Sequence, residues 1–169
     1  MIRWPEHEHI MSVLGFQEAY DHSINVRLSS NPLLETRVSS LAGLALIKLI
    51  AWRDAYPERQ KDAEDLKFIM HQYEDTGIMD RLYDTEQALL QEEGHDVRRA
   101  SIRLLGRDMA GIADAESRAA IKSILDRETE EGSQYRLLSD MLRGSLSRDE
   151  QFDGLLLQVV QLKKGFLER

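Results

Sequence analysis

The 169-residue sequence contains no cysteine. This absence excludes a disulfide framework and any metal site built on thiolates, and it suits a reducing compartment such as the cytoplasm. Proline and glycine are also scarce, at 3 and 10 residues, whereas charged residues make up 31% of the chain and apolar residues 42%. We therefore predict a soluble, helix-rich globular protein of the cytoplasm.

Long apolar runs are missing as well. None reaches the roughly 20 residues that a membrane-spanning helix needs, and the opening stretch MIRWPEHEHIM lacks the basic and then apolar order of a signal peptide. The formal net charge of −8 argues against a protein that binds nucleic acid over its whole surface, although a local basic patch remains compatible with it. We expect no membrane partner.

From residue 40 onward, apolar residues recur at helical spacing. Either Ser39 or Ser40 can cap the first helix, and Ser147 with Glu150 has the spacing of a capping box for the last. A short helix is expected after Asp75. The longer helices are predicted at about 40–54, 57–73, 85–91, 95–112, 115–126, 135–142 and 147–166.

The first 39 residues have a different pattern. The segments 23–28 and 33–38 alternate apolar and polar residues, and the SSNP stretch between them is typical of a tight turn. We predict a β-hairpin that pairs with another chain or lies at a sheet edge, because two strands alone are marginal in water. The predicted fold class is mainly α (α+β), with this hairpin in residues 1–39 and a helical bundle in residues 40–169.

A lysine interrupts the apolar first helix in the stretch KLIAWRDAYPERQKDAEDL. Residues three and four positions apart share a helix face, and the neighbours of Lys48 at these spacings are apolar: Leu44, Ala45, Ala51 and Trp52. A buried ammonium is costly unless it is paired or its stem reaches water. The next helix offers Asp62 and Asp65 beside its apolar stripe, so we expect a pair between Lys48 and one of them.

Two interpretations of this pair are open, and they are compatible. The pair can be purely structural, since ion-pair networks occur without function. Alternatively, Lys48 and Arg53 can line a cleft and contact phosphate oxygens while Asp62 positions the lysine. We predict that the lysine and both aspartates lie together at the mouth of such a cleft.

The stretch SSLAGLALIKLIAWRDAYPERQKDAEDLKFIMHQY closely resembles a segment of the nucleotidyltransferase superfamily. It is most similar to the abortive-infection (AbiEii-like) toxins of type IV toxin–antitoxin systems and their bacterial relatives. Three other segments of the chain resemble the same family: IRWPE, IMSVLGFQEA and SIRLLGRDMAGIA. The resemblance implies that Lys48 contacts nucleotide phosphates, together with Lys61 and a basic residue that is Arg53 or Arg59. It also implies that Asp62 belongs to the active site, with Asp65 in support.

Nucleotidyltransferases of this kind bind Mg²⁺ through an Asp-x-Asp pair on a strand that follows a Gly-Ser turn. This chain contains no such arrangement. It is therefore similar to the C-terminal portion of the enzyme. We expect the complete enzyme to use Mg²⁺, with none held securely here, and the 169 residues alone to be inactive. The resemblance implies a nucleoside triphosphate as ligand, and an antitoxin or an RNA acceptor as partner.

Further candidates lie outside this segment. His7 and His9 share a strand face in EHEH, which is a weak metal signal. Arg99, Arg103 and Arg107 recur at i+4 and form one basic stripe, which is either a solvated face paired with carboxylates or a surface for RNA phosphates. A non-catalytic helical interaction module is the alternative function, and exposed apolar surface favours self-association.

Overall fold

The computed structural model describes residues 2–3, 10–11, 13–143 and 148–168, with side chains described for 13–143 and 151–168. This part of the chain is mainly helical, which confirms the predicted fold class. Among the described helices, none has both the length and the apolarity to cross a bilayer. The helices are α1 Phe16–Asp21, α2 Leu41–Asp54, α3 Lys61–Gln72, α4 Met79–Tyr83, α5 Gln87–Glu92, α6 Val97–Ile112, α7 Ala115–Thr129, α8 Arg136–Met141 and α9 Arg148–Leu167, with a 3₁₀ turn at Tyr73–Asp75.

Two antiparallel strand pairs lie near the N-terminus. Strands β1 (Ile2–Arg3) and β2 (Ile10–Met11) form the first pair, and β3 (Ile24–Ser30) and β4 (Leu33–Val38) form the predicted hairpin. The two residues that connect β3 to β4, Asn31 and Pro32, lie within the predicted turn stretch SSNP. The register runs from Ile24 opposite Val38 to Ser30 opposite Leu33, with one irregularity in β3 between Arg27 and Ser29.

Helix α2 lies at the centre of the helical body, where it packs against α1, α3, α6 and α7. Its cap is Ser40 rather than Ser39, because the Ser40 hydroxyl oxygen accepts a hydrogen bond from the backbone N–H of Gly43 at 3.2 Å. Leu46, Leu49 and Trp52 are almost fully buried. A helix that is apolar nearly all round is expected at such a central position.

Several predicted boundaries need correction. Helix α3 begins at Lys61 and not near Pro57, because residues 55–60 form turns in which the N–H groups of Glu58 and Arg59 share the carbonyl oxygen of Ala55. Helix α7 extends beyond residue 126, since Glu128 is buried and accepts the N–H of Leu137 at 3.0 Å, joining α7 to α8. The predicted capping box at Ser147 and Glu150 lies outside the described side chains.

Helices α6 and α9 cross with their backbones in contact. A Cβ atom at Gly165 would lie 1.8 Å from the carbonyl oxygen of Arg103, and one at Gly106 would lie 2.2 Å from that of Leu162. Only glycine allows this approach at either position. The crossing places the last turn of α9 over the middle of α6, which determines the surroundings of Arg103.

Candidate functional site

The ammonium group of Lys48 lies between two aspartates of the neighbouring helix. Its Nζ donates to Asp62 Oδ1 at 2.9 Å and to Asp65 Oδ2 at 2.6 Å. The predicted ion pair is therefore confirmed, and it includes both carboxylates. The two aspartates are three residues apart at the start of α3, so they share one face of that helix, and the helix dipole favours anions there.

The environment of this lysine favours its charged form. Burial of Lys48 would lower its pKa, but hydrogen bonds to Asp62 and Asp65 and the charges of both carboxylates outweigh burial, so the pKa lies above its ordinary value of 10.5. The Lys48 side chain keeps 21% of its surface exposed, whereas the Asp62 side chain keeps only 4%. The lysine is thus a fixed cation at the surface of the body with a buried carboxylate beneath it.

A second cation holds the same carboxylate. Arg59 donates from Nη2 to Asp62 Oδ1 at 3.2 Å and from Nε to Oδ2 at 2.5 Å. Asp62 therefore accepts hydrogen bonds from two cationic side chains and serves as their anchor. We refer to Lys48, Arg59, Asp62 and Asp65 as the lysine cluster.

The other basic candidates, Arg53 and Lys61, make no hydrogen bond or ion pair with the lysine cluster among the described residues. Arg53 forms an ion pair with the next residue of the chain, because its Nε donates to Asp54 Oδ1 at 2.6 Å. Lys61 is exposed at the first residue of α3. Of the two arginines that the sequence left open, Arg59 is therefore the one that contacts the predicted aspartate.

The geometry of the lysine cluster suits the binding of phosphate oxygens. An ammonium group has three N–H donors, and Lys48 uses two of them on the aspartates. The third can donate to a ligand, and the half-exposed guanidinium of Arg59 lies on the same carboxylate. Both carboxylates are occupied by cations. Within the described residues, no group of three or more His, Asp or Glu side chains could hold a metal ion, and His7 and His9 lie outside that part.

The predicted arginine stripe does not form an exposed face. The side chain of Arg103 is only 4% exposed, and its guanidinium donates to Glu93 at 2.7 Å, to Glu92 at 2.6 Å and to Glu168 at 2.6 Å. Arg107 donates to Glu168 at 2.5 Å. The cause is the glycine crossing, because α9 covers the face of α6 that carries both arginines.

Only Arg99 of the three keeps the predicted exposure. Half of its side chain is exposed, and its guanidinium lies 3.6 Å from Glu93 Oε2. Burial would raise the pKa of Glu93, but hydrogen bonds from Lys164 and Arg103 outweigh burial and lower it. The arginines therefore join α5, α6 and α9, and an RNA phosphate could reach the Arg103 guanidinium only by breaking this network.

The structure contains a second cluster of polar side chains, around Asp108, that the sequence did not indicate. Tyr73 donates its hydroxyl to Asp108 Oδ2 at 2.5 Å, and Arg81 binds both oxygens of the same carboxylate at 2.8 and 2.9 Å. Burial and the charge of Asp108 raise the pKa of Tyr73. The three side chains line a surface cavity of about 430 Å³ together with His22 and Ser40. Asp108 lies in the LLGRD stretch, but its partners come from separate segments that no local spacing relates.

Comparisons with protein-family models, with curated proteins and with solved structures found no match to this chain. The lysine cluster is the described site that contains the predicted residues Lys48, Asp62 and Asp65. Its contacts are consistent with either of the two interpretations of the ion pair.

Proposed function

We propose that this chain is a helical portion of a cytoplasmic nucleotidyltransferase, and that the lysine cluster anchors the phosphates of a nucleoside triphosphate. The observation that carries the proposal is the position of the Lys48 ammonium. Two aspartates of α3 fix it, yet it stays partly exposed with a donor to spare. The exposed donor is available to a phosphate oxygen, and this availability is what the nucleotide-binding role requires.

The carboxylates of the lysine cluster have a positioning role in this proposal. Asp62 accepts hydrogen bonds from Lys48 and Arg59 and therefore holds two cationic side chains in place. Less side-chain conformational entropy is then lost when a phosphate binds. In-line transfer of a nucleotidyl group requires a metal ion bound to the reacting phosphate. The sequence contains no Gly-Ser turn followed by Asp-x-Asp, so the residues of this chain do not fit a site for the Mg²⁺ that such transfer would need. The acceptor would be an RNA or a protein.

Nucleotide binding by the 169-residue chain tests the proposal. We expect weak binding of ATP, GTP, CTP or UTP in titration calorimetry, with an affinity that falls as salt rises. Lys48→Met should abolish this binding. The matched control is Lys164→Met, because Lys164 also bonds a buried carboxylate, Glu93, and lies in another helix.

The outcomes separate the two roles of the lysine. If Lys48→Met and Lys164→Met destabilise the fold equally and neither changes nucleotide binding, the lysine cluster is a structural ion pair only. A transfer assay with labelled triphosphates, Mg²⁺ or Mn²⁺ and total tRNA should show no labelling by this chain. Metal-dependent labelling that Asp62→Asn removes would instead place a complete active site within it.

One observation favours a helical interaction module as the second candidate. The apolar side chains of the hairpin are exposed, including Ile24 at 54% and Leu34 at 53%. Surface of this kind marks interaction sites in folded proteins. Substitutions in the hairpin should then change association with a partner and leave nucleotide binding intact, whereas Lys48→Met should do the reverse.

A further inference from the structure

One face of the hairpin is mainly apolar, and the other carries the charges of β4 together with the exposed Leu33. Alternation along β4 places Leu34, Thr36 and Val38 on the same side, and the register places Ile24 and Val26 of β3 next to Val38 and Thr36. Ile24, Leu34 and Val38 are all at least 44% exposed. The opposite face carries the charges of β4.

The outer edge of β4 has no strand beside it within the described residues. There β4 pairs with β3 alone, so alternate N–H and C=O groups along its other side have no strand partner in that part of the chain. Such an edge is a template for another strand. The irregularity between Arg27 and Ser29 interrupts β3, which leaves β4 as the regular edge of the hairpin.

We propose that β4 pairs antiparallel with β4 of a second copy of this chain, around a two-fold axis at Thr36. The sequence of β4 is self-complementary in this register. Leu34 lies opposite the partner's Val38 on the apolar face, and Glu35 lies opposite the partner's Arg37 on the charged face. Matched apolar pairs and opposite charges are the cross-strand pairs that stabilise a sheet.

Other two-fold registers are worse. An axis at Glu35 or at Arg37 places like charges directly opposite each other, which is destabilising. An axis between two residues brings apolar side chains opposite charged ones and turns the apolar face of one hairpin against the polar face of the other. An axis at Leu34 places Leu33 opposite Glu35, and of the axes within β4 the one at Thr36 alone pairs Glu35 with Arg37.

The edge of β3 lacks this complementarity. The corresponding axis at Val26 places Asn25 opposite Arg27, which gives no opposite charges. Pairing of β3 with the β4 edge of a second copy would be heterologous, and it would extend into an open series rather than close as a dimer. The β4 pairing closes, and it converts two marginal hairpins into one four-stranded sheet. The inference is independent of nucleotide binding.

Charge exchange on β4 tests the register. Analytical ultracentrifugation of the full chain should show a reversible monomer–dimer equilibrium. Arg37→Glu and Glu35→Arg should each raise the dissociation constant about tenfold or more, because each places like charges opposite at two symmetric positions. The double variant should restore the dimer. Because Arg27 donates to Glu35 within the hairpin at 3.3 Å, the control is Lys122→Gln on α7, whose ammonium bonds Asp126 of its own helix, and it should retain the dimer.

A single introduced thiol tests the position of the axis. The chain contains no cysteine, so Thr36→Cys supplies one thiol that faces its own copy across the axis. Mild oxidation should link this variant into a covalent dimer, whereas Asn25→Cys on β3 should form no disulfide-linked dimer in the same reaction. A monomer at all concentrations, an open series of oligomers, or a dimer indifferent to the charge variants would overturn the proposal.

Discussion

Substitution of Gly165 by alanine should destabilise the protein through the contact of α9 with α6. The new Cβ would lie 1.8 Å from the carbonyl oxygen of Arg103 and 2.8 Å from its carbonyl carbon. A carbon–oxygen contact needs roughly 3.3 Å, so the two helices must separate by about 1.5 Å. Both atoms belong to the backbone of α6, and no side-chain rotation can relieve the clash.

The size of the effect follows from two opposing contributions. Forced separation of packed elements costs about 1–3 kcal/mol, and the rigid backbone places this case near the upper end. Alanine gains about 1 kcal/mol over glycine within a helix. The net loss in the free energy of unfolding should be about 2 kcal/mol, or a fall in Tm of about 4–8 °C for a chain of this size.

The matched control lies in the same helix. A Cβ atom at Gly154 would meet nothing within 4 Å, so Gly154→Ala should raise the free energy of unfolding by about 0.5–1 kcal/mol. Urea denaturation followed by circular dichroism measures both variants. If Gly165→Ala proves as stable as Gly154→Ala, the backbones of α6 and α9 are not in contact.

Two further predictions concern buried polar groups. Trp52→Phe should lower the free energy of unfolding by about 2 kcal/mol or more, since the indole N–H donates to the buried carboxylate of Asp140 at 2.8 Å; Asp140→Asn keeps an acceptor and should cost less in the same denaturation assay. The pKa of Glu93 lies below its ordinary value of 4.5, so its contribution to stability is complete above that pH and is lost as pH falls through the lower folded pKa. The urea concentration at the unfolding midpoint should therefore decrease as the pH is lowered below 4.5. Glu93→Gln should make this decrease shallower. An equal decrease in the unsubstituted chain and in the variant would show that Glu93 has no part in acid unfolding.

Local patterns in the sequence predicted the hairpin, the helices from residue 40 onward and one ion pair, but neither α1 nor the β1–β2 pair. The hairpin followed from alternation around a turn stretch, and the helices followed from spacing and caps. The Lys48 pair followed because residues three and four apart share a helix face, and because a short connection places α3 beside α2. These inferences need only local geometry and the cost of a buried charge.

Long-range contacts were not predictable in this way. Spacing indicates that Arg99, Arg103 and Arg107 share one side of α6, but not that a helix about sixty residues later covers two of them. The cover depends on glycines in both helices, and a glycine within a helical pattern does not show what approaches it. The grouping of Tyr73 and Arg81 around Asp108 escaped prediction for the same reason, because three separate segments supply it.

The crossing of α6 and α9 also has a consequence for biosynthesis. Helix α9 leaves the ribosome after every other described element, yet its last turn covers Arg103 and supplies Glu168 to it. Until that turn emerges, the inner face of α6 lies open to water and to chaperones. The contact between α6 and α9 therefore closes late in synthesis, after the rest of the described helical body has emerged.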